Sequence, residues 1–144
     1  MIGGLVMYAK NIWKDVTSEK NSQIFDFNEG YKEFLSAGKT ERLCVIETEA
    51  IAKKHGYAPL SKVKSLKPGD KVFVTNKNKN IALFLIGEKP LTEGIRILGA
   101  HIDSPRLDIK QNPLYEKEGF ALLDTHYYGG IKKYQWVTIP LAIH

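Results

Sequence analysis

The residues best suited to chemistry lie in one short stretch, residues 99–105. His101 and Asp103 are two positions apart, so in an extended chain their side chains point to the same side. A carboxylate placed in this way can hold one imidazole N–H, fix the tautomer and make the other ring nitrogen a better metal ligand. Gly99 and Ala100 are small and leave room for another group to approach. The spacing alone permits a metal site, and it equally permits a surface histidine beside an acid.

One histidine and one aspartate do not complete a zinc site, which commonly needs three protein ligands and a water. The nearest other candidates are Asp108, Asp124 and His126. Asp124 and His126 share a face of one predicted strand, whereas Asp108 has the opposite parity to Asp103. The sequence contains no HExxH motif. Ser104 lacks the flanking glycines of a nucleophile elbow, which argues against a serine hydrolase.

Length and composition predict one ordinary globular domain. The chain has 144 residues, of which 43% are apolar and 26% charged. No run of 18 apolar residues is present, so we expect no membrane span and no membrane partner. Residues 1–10 lack a basic region ahead of their apolar residues, so we expect no secretory signal. The single cysteine, Cys44, excludes an internal disulfide and favours a reducing, cytoplasmic location.

The basic charge is concentrated in residues 61–80, which contain six lysines and only one acidic residue, Asp70. The formal net charge of the whole chain is +5. A basic stretch can bind nucleic acid. This one contains a single aromatic residue, Phe73, and no arginine, so base stacking and guanine recognition are poorly supplied. We expect solvated lysines beside turns and no nucleic-acid partner, with a small basic binding module as the alternative.

The first half of the chain predicts helices. We expect an extended lead-in over residues 1–28 and a short helix over residues 28–35 that ends at Gly38. Thr40 suits the N-cap of a second helix, and Gly56 suits the residue that follows its C-terminus. Apolar residues recur at helical spacing between these two positions.

The second half predicts strands, and the fold class is therefore α/β or α+β. Two apolar runs flank the turn-like sequence NKNKN and indicate a hairpin. We expect a buried strand that ends at His101, and further strands later in the sequence. The predicted strands are residues 71–75, 81–87, 95–101, 106–110, one that starts at 120–123, and 135–143.

The segment ILGAHIDSPRLDIKQNP closely resembles the His-x-Asp-Ser-Pro segment of the M18 family of zinc aminopeptidases, the aspartyl aminopeptidase family. Residues 31–35 and 39–42 resemble the N-terminal helices of that family. Residues 127–136 resemble the next segment in its bacterial members. The chain lacks the Trp-Phe-Asp-Arg-Asp run that many relatives carry near residues 135–140, which marks a subgroup. The resemblance extends from about Tyr8 to His144.

The resemblance implies an α/β zinc-exopeptidase fold with a mixed sheet. Residues 1–135 would be the N-terminal part of the catalytic domain, and residues 136–144 the start of an inserted β-rich dimerisation domain. It also implies that the chain is an incomplete N-terminal piece, because the general base and the remaining metal ligands of the family lie downstream. We expect these 144 residues alone to be inactive.

The resemblance further implies a two-zinc aminopeptidase that removes N-terminal, often acidic, residues from peptide substrates. His101 would bind one metal ion, and Asp103 would orient His101 and support catalysis. Histidine and carboxylate ligands also suit manganese or cobalt. The complete chain would form homo-oligomers. The alternatives left open are a non-catalytic relict of the peptidase fold and the basic binding module.

Overall fold

The computed structural model describes Ala9 and residues 11–144. The predicted absence of a secretory signal rests on residues 1–10, and of these the described residues include only Ala9. Within it, no helix is both long enough and apolar enough to cross a membrane. The elements are a mixture of helices and strands, and the three-stranded sheet is mixed, so the predicted α/β class is confirmed.

The first helix, α1, spans Ser18–Ala37 and corrects two sequence predictions. The extended lead-in to residue 28 is wrong, and so is a helix start at Asn28. The start is at Thr17, whose side chain accepts a hydrogen bond from the Lys20 backbone N–H at 3.3 Å. From Ile24 onward apolar and aromatic residues recur every three or four positions. The predicted end at Gly38 is confirmed.

The second helix, α2, spans Glu41–Lys54 as predicted. The Thr40 side chain accepts from the Leu43 backbone N–H at 3.3 Å and so caps the N-terminus. At the other end Gly56 adopts a φ of +83°, a conformation that favours glycine. The Sγ atom of Cys44 on α2 donates to the Gly38 carbonyl at 3.1 Å, which ties α2 to the end of α1.

Three strands form the mixed sheet: β1 (Ala58–Pro59), β2 (Lys71–Asn76) and β3 (Asn80–Leu85). Strand β1 is parallel to β2, and β2 is antiparallel to β3. The predicted hairpin is therefore confirmed. Its turn uses positive φ angles at Lys77 and Asn78. The Arg42 guanidinium donates to the Lys77 carbonyl at 3.0 Å and fastens this turn to the start of α2.

A second, two-stranded sheet follows, made by β4 (Arg106–Lys117) and β5 (Phe120–Tyr128). The predicted strand at 106–110 is confirmed and is longer than expected, and the predicted strand that starts at 120–123 is confirmed. The turn between them has positive φ angles of 55° at Glu118 and 83° at Gly119, which suits a two-residue hairpin loop. The register shifts between Ile109 and Leu114, so β4 bulges in its middle.

Two strand predictions are wrong. Residues 95–101 form no regular element, and their apolar side chains are exposed, Leu98 fully and Ile97 by 77%. A buried strand needs neighbours on both faces, and the described residues place none there. Residues 135–143 are not a strand either, because a short helix, α3 (Lys133–Trp136), occupies their start. The predicted domain boundary at residue 136 stays a prediction.

The core is small and lies between α2 and β2. In the part of the chain that the structure describes, the buried apolar side chains all come from these two elements: Cys44, Val45, Ala52, Val72 and Phe73. Strands β4 and β5 contact each other extensively along the hairpin, and their side chains are exposed or half-buried.

Candidate functional site

His101 and Asp103 lie in the irregular segment that leads into β4, and the structure brings their side chains together. The Nδ1 atom of His101 lies 3.1 Å from Asp103 Oδ1 and 3.1 Å from the Asp103 backbone carbonyl. With the ring proton on Nδ1, both oxygens accept from that N–H. The expected shared orientation of the two side chains is thus observed, although the strand invoked to produce it is absent.

A third residue, Tyr128, completes the arrangement from the far end of β5. Its hydroxyl donates to Asp103 Oδ2 at 2.8 Å. Each oxygen of the carboxylate therefore has its own partner, His101 on one side and Tyr128 on the other. Next to Tyr128, Gly129 has a φ of +76°, a conformation that favours glycine, and it lies close to Pro105. A side chain at Gly129 would contact Pro105 at about 3.4 Å.

The hydrogen bonds shift the acidity of both partners. Donation by Tyr128 is the main reason that the pKa of Asp103 lies below its usual value, and the backbone N–H of Asp103 and the His101 ring act in the same direction. Conversely, the bond to the carboxylate raises the pKa of Tyr128 above its usual value. At neutral pH the pair is therefore a carboxylate and a neutral phenol, the states in which this hydrogen bond is strongest.

Arg106 connects this group to the packed part of the molecule. Its guanidinium stacks over the Tyr128 ring, 4.0 Å from the ring centroid. Its Nε donates to Asp108 Oδ1 at 2.7 Å, and one Nη atom lies 3.9 Å from a carboxylate oxygen of Glu41 on α2. Lys79 approaches the other oxygen of Glu41 at 3.7 Å. The N-terminus of α2 thereby reaches the site through charge contacts.

These residues line an open cleft of about 500 Å³. Its wall carries both charge signs and the His101 imidazole. The lining residues are Glu41, Lys79, Asn80, Ala100, His101, Ile102, Asp103, Arg106 and Tyr128. Lys79 is thus part of the cleft wall, which refines the prediction that the lysines of residues 61–80 are only solvated.

The His101 ring fits one position of a metal centre. Its described hydrogen bonds both use Nδ1, and 86% of its side chain is exposed. Nε2 is therefore the nitrogen available to a metal ion, and the carboxylate at Nδ1 is the support that metal-bound histidines commonly have. Within residues 11–144, however, no group of three or more His, Cys, Asp or Glu side chains is arranged to hold an ion.

The other candidate ligands have different partners. Asp108 is engaged by Arg106, and Asp124 accepts from Lys110 at 2.8 Å. His126 pairs with Asp108 in the β4–β5 register and stacks on Tyr127 at a centroid distance of 5.2 Å. The described structure therefore does not direct any of the three at the ion that His101 could bind.

Sequence reasoning singled out His101 and Asp103 but did not connect Tyr128 and Arg106 with them, although both line the same cleft. The signal that links them is the hairpin register, in which Arg106 pairs with Tyr128. Arg106, which comes directly after Ser104 and Pro105, is thereby paired with the last residue of β5. Deriving this register from sequence would require the length of the bulge in β4, which the alternating pattern does not reveal.

Comparison with known families gives a match over most of the chain. The model of the family described as aminopeptidase I zinc metalloprotease (M18) matches residues 34–144. A probable M18 family aminopeptidase 1 from Clostridium acetobutylicum is 52% identical over 148 residues, covering 100% of this chain and 32% of the relative. A protein of the same name from Thermotoga maritima is 45% identical and covers 96% of this chain.

Solved structures of aminopeptidases also match the chain. Aminopeptidase I from Borrelia burgdorferi B31 superposes with a TM-score of 0.86 at 42% identity, covering 91% of this chain and 32% of that protein. An M18 aminopeptidase from Thermotoga maritima gives a TM-score of 0.82 at 44% identity, covering 93% and 29%. The chain thus spans about a third of the length of the proteins it matches.

Proposed function

The chain belongs to the M18 family of zinc metalloproteases, and on this premise we propose that it supplies part of the catalytic centre of a metal-dependent aminopeptidase. The substrates would be peptides, from which the complete enzyme removes the N-terminal residue. The preference for acidic residues, the second zinc ion, assembly into homo-oligomers and a cytoplasmic location belong to the same proposal.

The observation that carries this proposal is the contact between Asp103 and Nδ1 of His101. It supports a role for His101 as a metal ligand through Nε2, with Asp103 as the residue that fixes the ring and its tautomer. Bound zinc would polarise the scissile carbonyl and lower the pKa of a water molecule. The chain's own contribution is to orient the imidazole and to keep a negative charge beside it.

The proposal requires ligands in addition to these. A hydrolytic zinc ion is commonly held by three protein ligands, and the described residues present one suitable imidazole. We therefore propose that the other ligands and the general base belong to sequence outside these 144 residues. This agrees with the share of the relatives' length that the chain covers.

A chimera tests the proposal directly. In it, this chain replaces the matching segment of the Clostridium acetobutylicum relative, to which it is 52% identical. We expect the purified chimera to hold zinc and to release a chromophore from an aminoacyl substrate. His101→Ala should lower the metal content and abolish turnover, whereas His55→Ala, at the exposed end of α2, should change neither.

The 144-residue chain provides the complementary measurement. After dialysis it should hold less than one zinc ion per chain and cleave no aminoacyl substrate. Full metal content and turnover in the chimera with His101→Ala would overturn the role of His101. One firmly bound ion in the 144-residue chain, with turnover that His101→Ala abolishes, would overturn the need for outside ligands.

A further inference from the structure

The carboxylate of Asp103 sits in a part of the chain that has little else to hold it in place. Residues 94–105 form no helix or strand, so no ladder of backbone hydrogen bonds fixes their positions. The Asp103 side chain is 41% exposed and the His101 side chain 86% exposed, so packing restrains them weakly. The hydrogen bond between the two residues is local and fixes neither of them relative to the fold.

The Tyr128 hydroxyl supplies the missing long-range restraint. It donates to Asp103 Oδ2 across 25 positions of sequence, at 2.8 Å. With Oδ2 held, the carboxylate cannot rotate freely, and Oδ1 is presented to Nδ1 of His101. A carboxylate that accepts a hydrogen bond at each oxygen has one preferred orientation. With His101 as its only partner, either oxygen could accept the hydrogen bond from the ring.

Tyr128 lies on a regular element, unlike Asp103, to which it donates. It lies at the end of β5 and pairs with Arg106 in the β4–β5 ladder. The Arg106 guanidinium covers its ring at 4.0 Å and is anchored by Asp108 at 2.7 Å. The phenol thus stands on a hydrogen-bonded hairpin, a rigid element of the kind that holds functional groups in place most accurately.

We propose that Tyr128 is a positioning residue of the metal site, which acts through Asp103 to hold His101 in the orientation and tautomer that present Nε2 to the metal. Arg106 supports it by stacking on its ring. This inference rests on the proposed role of His101 as a metal ligand. It adds a residue that the His-x-Asp spacing does not contain.

The first test measures the tautomer of His101 without any metal. In the 144-residue chain labelled with ¹⁵N-histidine, nitrogen chemical shifts report which ring nitrogen carries the proton, and the exposed His55 serves as an internal reference. The wild-type His101 should show the proton on Nδ1. Tyr128→Phe removes only the hydroxyl and should move the His101 shifts toward those of His55. Unchanged His101 shifts would overturn the inference.

The matched control is Tyr127→Phe, which removes a hydroxyl from the neighbouring position. Tyr127 contacts His126 and Lys133 through its ring, and both contacts survive the substitution. The His101 shifts should therefore stay at their wild-type values. An equal response to both substitutions would indicate a general loosening of the hairpin and would overturn the specific role of Tyr128.

The second test uses the chimera and separates positioning from structure. Tyr128→Phe should weaken zinc affinity about tenfold and lower kcat with little change in KM, because residues behind metal ligands typically contribute 10- to 100-fold. On an Asp103→Asn background the same change should cost less than about twofold, since the partner carboxylate is already gone. Independent, multiplying losses would overturn action through Asp103.

Failure of the proposed function gives a different pattern. If His101→Ala leaves the metal content of the chimera unchanged, His101 is not a ligand, whatever Tyr128 does to its tautomer. If His101→Ala removes the metal but Tyr128→Phe changes neither zinc affinity nor the His101 shifts, the proposed function stands and the positioning role of Tyr128 is wrong.

Discussion

Two regions of this molecule are held together by different forces. The packed unit, made by α2 and strands β1 to β3, contains the buried apolar side chains of the described chain. The site region, residues 94–130, is held by the β4–β5 ladder and by contacts between polar and charged side chains. Packing therefore stabilises the first region, whereas hydrogen bonds and charge position the second.

From this difference we expect the site to depend on precise side-chain chemistry more than on side-chain volume. In a packed core a methyl group counts because its removal leaves a cavity. In the site region the side chains already face solvent, so removing volume costs little, while removing one donor or acceptor changes what the remaining groups can hold. A substitution in the packed unit should therefore mainly lower stability, whereas a substitution of the same type in the site region should mainly lower activity.

The largest expected effect on stability is in the packed unit. Phe73 on β2 is 4% exposed, and Phe73→Ala should lower the free energy of unfolding by about 3–5 kcal/mol. Phe120 at the start of β5 is 68% exposed, and Phe120→Ala should cost less than about 1 kcal/mol. Urea unfolding of the 144-residue chain, followed by circular dichroism, measures both. Similar losses for the two variants would refute the contrast.

The largest expected effect on activity is in the site region. Asp103→Asn keeps the shape of the side chain but removes the negative charge beside His101. In the chimera it should reduce turnover by about 10- to 100-fold, while the unfolding midpoint of the 144-residue chain hardly changes. Wild-type turnover in this variant would show that Asp103 does not support catalysis.

A smaller effect is expected at the N-cap of α2. Thr40→Ala removes the acceptor for the Leu43 N–H and should lower the free energy of unfolding by about 1 kcal/mol. Thr40→Ser keeps the acceptor and should restore most of that loss. Because Glu41 follows directly and contacts Arg106, the chimera also reports whether a frayed helix start reaches the site. A stable Thr40→Ala chain would mean that tertiary packing alone fixes this helix.

The smallest effect is expected for lysines that lie away from the cleft. Replacing Lys62, Lys64 and Lys67 together with Gln should leave the turnover of the chimera within about a factor of two, because exposed charges act weakly on a distant site. Lys79 is left unchanged in this variant, since it lines the cleft beside Glu41. A large loss of turnover would place the substituted stretch near the substrate.

Sequence reasoning succeeded where the determining signals are local. Thr40 and Gly56 define α2, and the NKNKN turn defines the β2–β3 hairpin. The start of α1 was missed because its cap, Thr17, lies ahead of a polar first turn without an apolar repeat. The strand at residues 95–101 was wrong because an apolar run indicates burial only when other elements cover it, and the sequence does not show which elements do.

In the site, the same limit separates the pair that was found from the residues that were missed. His101 and Asp103 are two residues apart, so a local rule was enough to suggest their contact. Tyr128 reaches Asp103 through the register of a hairpin with an irregular middle. Local patterns do not reveal that register, and so neither Tyr128 nor its stacking with Arg106 could be derived from spacing.

We expect the tight turn at Glu118 and Gly119 to influence when the site forms during folding. Joining Asp103 to Tyr128 directly would close a long, flexible loop, which carries an entropic cost. A hairpin with a two-residue turn forms in about 1–10 μs, and its ladder brings Tyr128 beside Arg106. Only the short segment from Asp103 to Arg106 then remains to be ordered. A substitution that slows this distant turn would delay assembly of the site without changing any residue in it.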